Sequence, residues 1–242
     1  AYDDSGRLLK TVDALGSVAE YTYDGKSQLL SIRQYANRVA VASLGNTPTA
    51  ASIAPAANNA SDRLTRNFYD ADGLLQGSLD AEGYLTEHRY TASGLRYITI
   101  RYATAVAAAS LGNATLASLR PKVAAQDVST IRIFDGMGQV QAEIDAEGYV
   151  TTFKYNAMGL VSESKRFATK LSQSAINLAK SQPISISQLV LPKANSQDQV
   201  TQTAYDALGR ASISTDYLGT RTEFAYDEVG NLVKTTRAVG TS

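Results

Sequence analysis

The residues best suited to chemistry in this 242-residue chain are its acids, its tyrosines and its single histidine. Asp80-Ala81-Glu82-Gly83 and Asp145-Ala146-Glu147-Gly148 each set two carboxylates within three residues, the beginning of a calcium loop. Calcium takes six to eight oxygens, and each tetrapeptide offers one or two acids, so no metal site is expected. His88 has the chemistry of a general base or a metal ligand. Its equivalents elsewhere in the chain are Tyr21, Phe153 and Phe224, which assigns it to ring packing instead. A pair of acids across a cleft would suit sugar hydrolysis, but the acids here follow a regular spacing instead of breaking it. No Gly-x-Ser-x-Gly, phosphate loop or His-Glu-x-x-His is present. The chain is therefore expected to be no enzyme, with no catalytic residue and no cofactor.

That regular spacing belongs to a set of turns. Asp, two variable residues and Gly recur as Asp3 to Gly6, Asp70 to Gly73, Asp135 to Gly138 and Asp206 to Gly209, each after an aromatic: Tyr2, Tyr69, Phe134 and Tyr205. Ten residues beyond each glycine stands another: Gly16, Gly83, Gly148 and Gly219, after Asp13, Asp80, Asp145 and Asp216. Eleven further come Ser27, Gly94, Gly159 and Gly230. Asp accepts a hydrogen bond from the N–H two residues on, and Gly at the fourth position adopts the left-handed conformation that closes a three-residue hairpin loop with a bulge. Thr91 and Asn156 replace Asp in two turns; at Ser27 the nearby Asp24-Gly25 suggests a tighter turn.

Between the turns lie six- to eight-residue segments of alternating character, the pattern of half-buried antiparallel strands. Before each third turn the inward positions carry Tyr21 and Tyr23, His88 and Tyr90, Phe153 and Tyr155, Phe224 and Tyr226, with polar residues such as Glu20, Glu87 and Glu223 between them. These rings are expected to form an aromatic ladder across neighbouring strands, each contact contributing about 0.5–1.5 kcal/mol. After Arg33-Gln34-Tyr35-Ala36, Arg101-Tyr102-Ala103 and Arg166-Phe167-Ala168 the pattern stops, and alanine-rich inserts follow. Helix is expected over 103–111, ending near Gly112, in the parallel first insert near Gly45, and over 170–180. The inserts end at Asp62, Asp127 and Asp198. The chain thus reads as one continuous array: four-stranded units at approximately 1–35, 62–102, 127–167 and 198–238, with helical inserts at 36–61, 103–126 and 168–197. A β-propeller also has four strands per unit, but its blades join by short loops.

Composition narrows the partners. Lys plus Arg and Asp plus Glu are 23 each, giving zero net charge, which argues against a nucleic-acid binder. The chain has no apolar run long enough for a membrane span. It has no cysteine, so disulfides and thiolate metal sites are excluded. No signal peptide is visible, and because the chain starts one residue before a repeat tyrosine and stops soon after the last turn it is expected to be a fragment of a longer array.

Tyr2-Asp3-Asp4-Ser5-Gly6-Arg7-Leu8, Asp13-Ala14-Leu15-Gly16 and Tyr21-Thr22-Tyr23-Asp24 together resemble the RHS/YD-repeat family, as do Tyr205-Asp206-Ala207-Leu208-Gly209-Arg210 and Tyr226-Asp227-Glu228-Val229-Gly230-Asn231. The family includes bacterial polymorphic toxins, shell components of insecticidal toxin complexes and teneurins. The resemblance implies a mainly β fold of tandem antiparallel hairpins in a curved or spiralling sheet, here with short α-helical insertions. It also implies a structural segment of a large secreted or surface-bound bacterial protein, forming part of a shell or scaffold around a C-terminal toxin domain. The helical inserts depart from a plain YD array, and the Asp-Pro of the family's self-cleaving segment does not occur. The competing reading is an adhesin-like module in which exposed phrases such as Arg101-Tyr102 form a stacking platform for a glycan or a cell-surface protein.

Overall fold

The structure is a computed structural model, and it describes residues 1–58, 60–107, 112 and 114–238. It divides into two compact units, Ala1–Arg89 with Thr99–Val128, and Tyr90–Ile98 with Ser129–Ser242. The first unit holds β1 (Lys10–Val12), β2 (Val18–Tyr23), β3 (Leu29–Gln34), β4 (Arg63–Tyr69), β5 (Leu75–Leu79) and most of β6 (Leu85–Tyr90), and an isolated bridge joins Tyr2 to Leu8. Residues of β7 (Arg96–Arg101) contribute to both units. The second unit holds most of β8 (Val128–Phe134), and β9 (Val140–Ile144), β10 (Val150–Tyr155), β11 (Val161–Arg166), β12 (Gln199–Tyr205), β13 (Ala211–Thr215), β14 (Arg221–Tyr226) and β15 (Leu232–Ala238). Strand order follows chain order from β1 to β15, without a crossover.

The turns explain that order. In each of the ten Asp turns, one carboxylate oxygen accepts two backbone N–H bonds, from the second and fourth residues after it; at Asp80 these come from Glu82 and Tyr84 at 3.1 and 2.8 Å. The glycine N–H returns to the aspartate carbonyl, as Gly83 does to Asp80 at 3.0 Å. The eleven turn glycines have φ between +75° and +93°. A one-residue register shift adjoins the first and third turns, as between Thr22 and Tyr23 just before Asp24. This is a three-residue loop with a bulge, whose twist matches the flanking strands. Ser27 occupies the same position with φ +65°, and Asp24 bonds to Gln28 as in the other turns. The tighter turn expected there does not form, because Asp24 already supplies the standard loop.

The inserts depart from expectation in detail. The first forms a 3₁₀ turn at Val41–Ser43 instead of an α-helix. Val39 and Val41 are poor helix formers, and Gly45 and Pro48 interrupt the run within a turn or two. In the second, residues 103–107 are not helical, and the rest of the expected 103–111 helix lies outside the described residues. Its helix is α1 (Leu116–Leu119), begun by Thr115, whose side chain accepts from the Ser118 N–H. The third forms α2 (Gln173–Ser181), starting where Ser172 caps Ala175. Both helices begin at a hydroxyl that satisfies an otherwise orphaned N–H.

In the first unit Leu79, Leu85, Tyr102 and Leu119 form a buried cluster, with Phe68, Ile100, Val106, Ala114 and Leu116 against it. In the second, Ile144, Val150, Phe167, Leu171, Ala175 and Ala179 are all buried. Strand and insert residues are thus buried together in both units.

Candidate functional site

The middle hairpin of each repeat presents four residues on one face, two from each strand. The registers pair Lys10 with Glu20 and Val12 with Val18, then Gly77 with Glu87 and Leu79 with Leu85. In the second unit they pair Ala142 with Thr152 and Ile144 with Val150. Each foursome forms a seat that receives the insert, and the chain reaches it the same way each time. The N–H groups of Tyr35, Tyr102 and Phe167 donate to the carbonyls of Val18, Leu85 and Val150. Four residues on, the N–H groups of Val39, Val106 and Leu171 donate to the carbonyls of Gly16, Gly83 and Gly148, at 2.9, 2.8 and 2.9 Å.

These approaches give the middle-turn glycine a second role besides its φ. A Cβ at Gly16 would lie 2.1 Å from the Val39 carbonyl oxygen, and one at Gly148 would lie 2.9 Å from Ile176 Cδ1. At Gly16 no side chain fits while the insert is seated, whereas at Gly148 one fits only if Ile176 turns aside.

The far end of each insert returns to its start through one carboxylate. Asp62 accepts from the N–H groups of Ala36 and Asn58, Asp127 from Ala103 and Ala124, and Asp198 from Ala168 and Asn195. Asp62 and Asp198 side chains are 2% exposed and pair with Arg33 and Lys165. The sequence marks these aspartates as the ends of the inserts; their clamping role is visible only when the two ends are brought together.

The second seat has the densest electrostatics. Glu87 is 3% exposed. It accepts from Tyr102 Oη at 2.7 Å, from Arg120 Nε and Nη2 at 2.8 and 2.9 Å, and from Arg89 Nε at 3.0 Å. Burial alone would raise its pKa, but the Arg120, Tyr102 and Arg89 hydrogen bonds outweigh that and hold it at about 2. Burial and the bond to Glu87 push the Tyr102 phenol up to about 12. The first seat carries a lighter version: Tyr35 Oη donates to Glu20 at 2.6 Å and is likewise raised to about 12, with burial the main cause. Phe167 and Thr152 take these places in the third. The expectation of a solvent-facing polar side on this strand fails at Glu87, because the insert brings Arg120 and Tyr102 over it. Tyr102 itself is 2% exposed, so its ring offers no glycan platform.

The expected aromatic ladder is replaced by other contacts. Three strands separate β2 from β6 in the sheet order, and three separate β10 from β14, so rings of successive repeats do not face one another on neighbouring strands. The tyrosines instead tie strands within their own repeat. Tyr23, Tyr155 and Tyr226 donate to the carbonyls of Leu8, Val140 and Ala211, at 2.9, 2.8 and 2.9 Å. Arg7 lies 5.2 Å from the Tyr23 ring and bonds Asp3; Arg210 lies 4.5 Å from the Tyr226 ring and bonds Asp206. One arginine thus links the first turn of the repeat to the strand before its third turn. Tyr21, Phe153 and Phe224 are half-buried, and His88 is buried with Nδ1 3.1 Å from Thr99 Oγ1.

Among the described residues no cluster of three or more His, Asp or Glu side chains is arranged to hold a metal ion. An open cleft of about 870 Å³ in the first unit is lined by Lys26, Gln28, Arg66 and Phe68, among others. Its polar side chains bind main-chain carbonyls: Lys26 that of Ala71, Gln28 that of Gly73 and Arg66 that of Ala114. No described helix is long and apolar enough to cross a membrane.

The RHS Repeat family model matches residues 2–40 and 205–242. No curated protein matches the chain. The crystal structure of TcdB2-TccC3-Cdc42 is similar at a TM-score of 0.60 and 16% identity, over 96% of this chain and 10% of that one. The crystal structure of TcdB2-TccC3 is similar at a TM-score of 0.60 and 17% identity, over 97% and 10%. Likeness at this identity is likeness of fold, and the chain spans about a tenth of the length of the chains it matches.

Proposed function

Because the chain carries RHS repeats, we propose that it is a non-catalytic wall segment of a large secreted or surface-bound bacterial RHS-type protein, part of a shell or scaffold that encloses or presents a toxin domain. The observation that carries this reading is the use of the acids. All ten turn aspartates spend a carboxylate oxygen on two backbone N–H groups of their own turn, and Glu87 holds its insert in place. Groups committed in this way hold turns and inserts in place, which supports the reading of a wall segment. The strands follow chain order, so further hairpins extend the sheet without altering what precedes them. The fold shared with the TcdB2-TccC3 chains supports the same reading.

The test uses the longer protein that carries this segment. Its C-terminal domain is expected to resist added protease while the wall is intact, and to become digestible when Gly16→Val and Gly148→Val unseat two inserts. Immediate digestion of that domain in the unaltered protein would sink enclosure.

A further inference from the structure

One position of the seat runs from lysine to glycine to alanine, and the inserts differ with it. Lys10, Gly77 and Ala142 occupy the same place, paired with Glu20, Glu87 and Thr152. Over Gly77 lies α1: a Cβ there would stand 3.0 Å from Leu116 Cδ1 and 3.0 Å from the Thr86 carbonyl oxygen. Ala142 is fully buried, in the unit where α2 buries Ala175 and Ala179. Over the first seat there is no α-helix. Lys10 rises from it, and its Nζ donates to the Ile53 carbonyl at 2.8 Å while lying 3.4 Å from Glu20. We propose that this seat residue selects the insert. A small residue admits a helix against the sheet, whereas a long cation holds an irregular insert off it by binding a main-chain carbonyl.

Physically, a helix lies close on a sheet only where the side chains beneath it are small or interdigitate. Carbonyls in a helix interior are already bonded, so a cation beneath a helix finds its free acceptor only in an irregular segment or at a helix C-terminus. The inference concerns how inserts are matched to the sheet and holds whether or not the wall encloses anything.

The test is hydrogen exchange by mass spectrometry on the full chain carrying Gly77→Lys or Ala142→Lys, with Lys10→Ala for comparison. Gly77→Lys is expected to speed exchange in α1 at least tenfold and Ala142→Lys to do so in α2, with β4 and β12 retaining their protection. Lys10→Ala is expected to loosen only residues near Ile53. If a lysine unfolds its whole unit, Gly77→Gln brings the length without the charge and is expected to give a severalfold faster exchange confined to 114–120, while Gly77→Ala leaves α1 protected. Unchanged α1 exchange in both Gly77→Lys and Gly77→Gln, or equal loosening of strands and insert in every variant, would overturn the proposal.

Discussion

Glu87 ties stability to pH at both extremes. Its carboxyl ionises at about 2 in the folded chain against an ordinary value of 4.5. Its contribution is therefore fully present above about pH 4.5 and is lost as pH falls through 2. That displacement corresponds to roughly 3 kcal/mol. Tyr102 shifts from 10 to about 12, so its contribution is present below pH 10 and fades as pH rises towards 12. Chemical denaturation across pH 2–12 should show a plateau from about 5 to 10, and Glu87→Gln should lower that plateau and flatten the acid limb. An unchanged acid limb would show that other carboxylates govern it. Ser27 is a second point of adjustable stability, since a left-handed backbone with a Cβ costs about 1–2 kcal/mol. Ser27→Gly removes that cost and regains some unfolded-state entropy, so a gain of up to about 1 kcal/mol is expected in thermal melts. A loss would mean that the Arg7 contact to Ser27 Oγ at 3.4 Å matters more than strain.

Among the elements, the inserts depend on their clamps more than on their helices. α1 has four residues and α2 nine, too short to persist unaided. Asp198→Ala leaves the Ala168 and Asn195 N–H groups and the Lys165 ammonium without their carboxylate, at a cost of about 1–2 kcal/mol. Limited proteolysis should then cut within 168–197 sooner than within β10 or β11. Equal rates of cutting would assign the third insert's stability to Leu171 and α2 alone. The strands were readable from alternation because each reports its own face at period two. The insert helices were less so. Alanine content signalled helix over 103–111 and near Gly45, whereas the observed starts depend on Thr115 and Ser172 as caps. In the first insert, valine, Gly45 and Pro48 prevailed over alanine.

On the scale of the whole molecule, a sheet in chain order depends on nearest neighbours, and each of the first three repeats is completed by its own turns and insert. One oxygen of each turn aspartate already accepts two backbone N–H groups, so the turns are expected to close without an ion. Millimolar calcium, or its removal by a chelator, should leave the melting temperature unchanged. A rise of several degrees would locate a calcium site that the turns do not explain.

Spacing along the chain was sufficient for the turns, the strand sequence and the repeat. An Asp-x-x-Gly loop is closed by atoms within five residues, and local chemistry is complete in the local sequence. Contacts through space were needed for everything that the inserts do. Glu87 and Glu223 stand at equivalent positions, yet one is buried under Arg120 and Tyr102 and the other is exposed. The tyrosines carry a regular period, but their partners are carbonyls and arginines of other strands, some fifteen or more residues away. A residue's own spacing records which face of the strand it occupies. What covers that face is set by a segment that leaves the sheet and comes back, held at both ends by one aspartate.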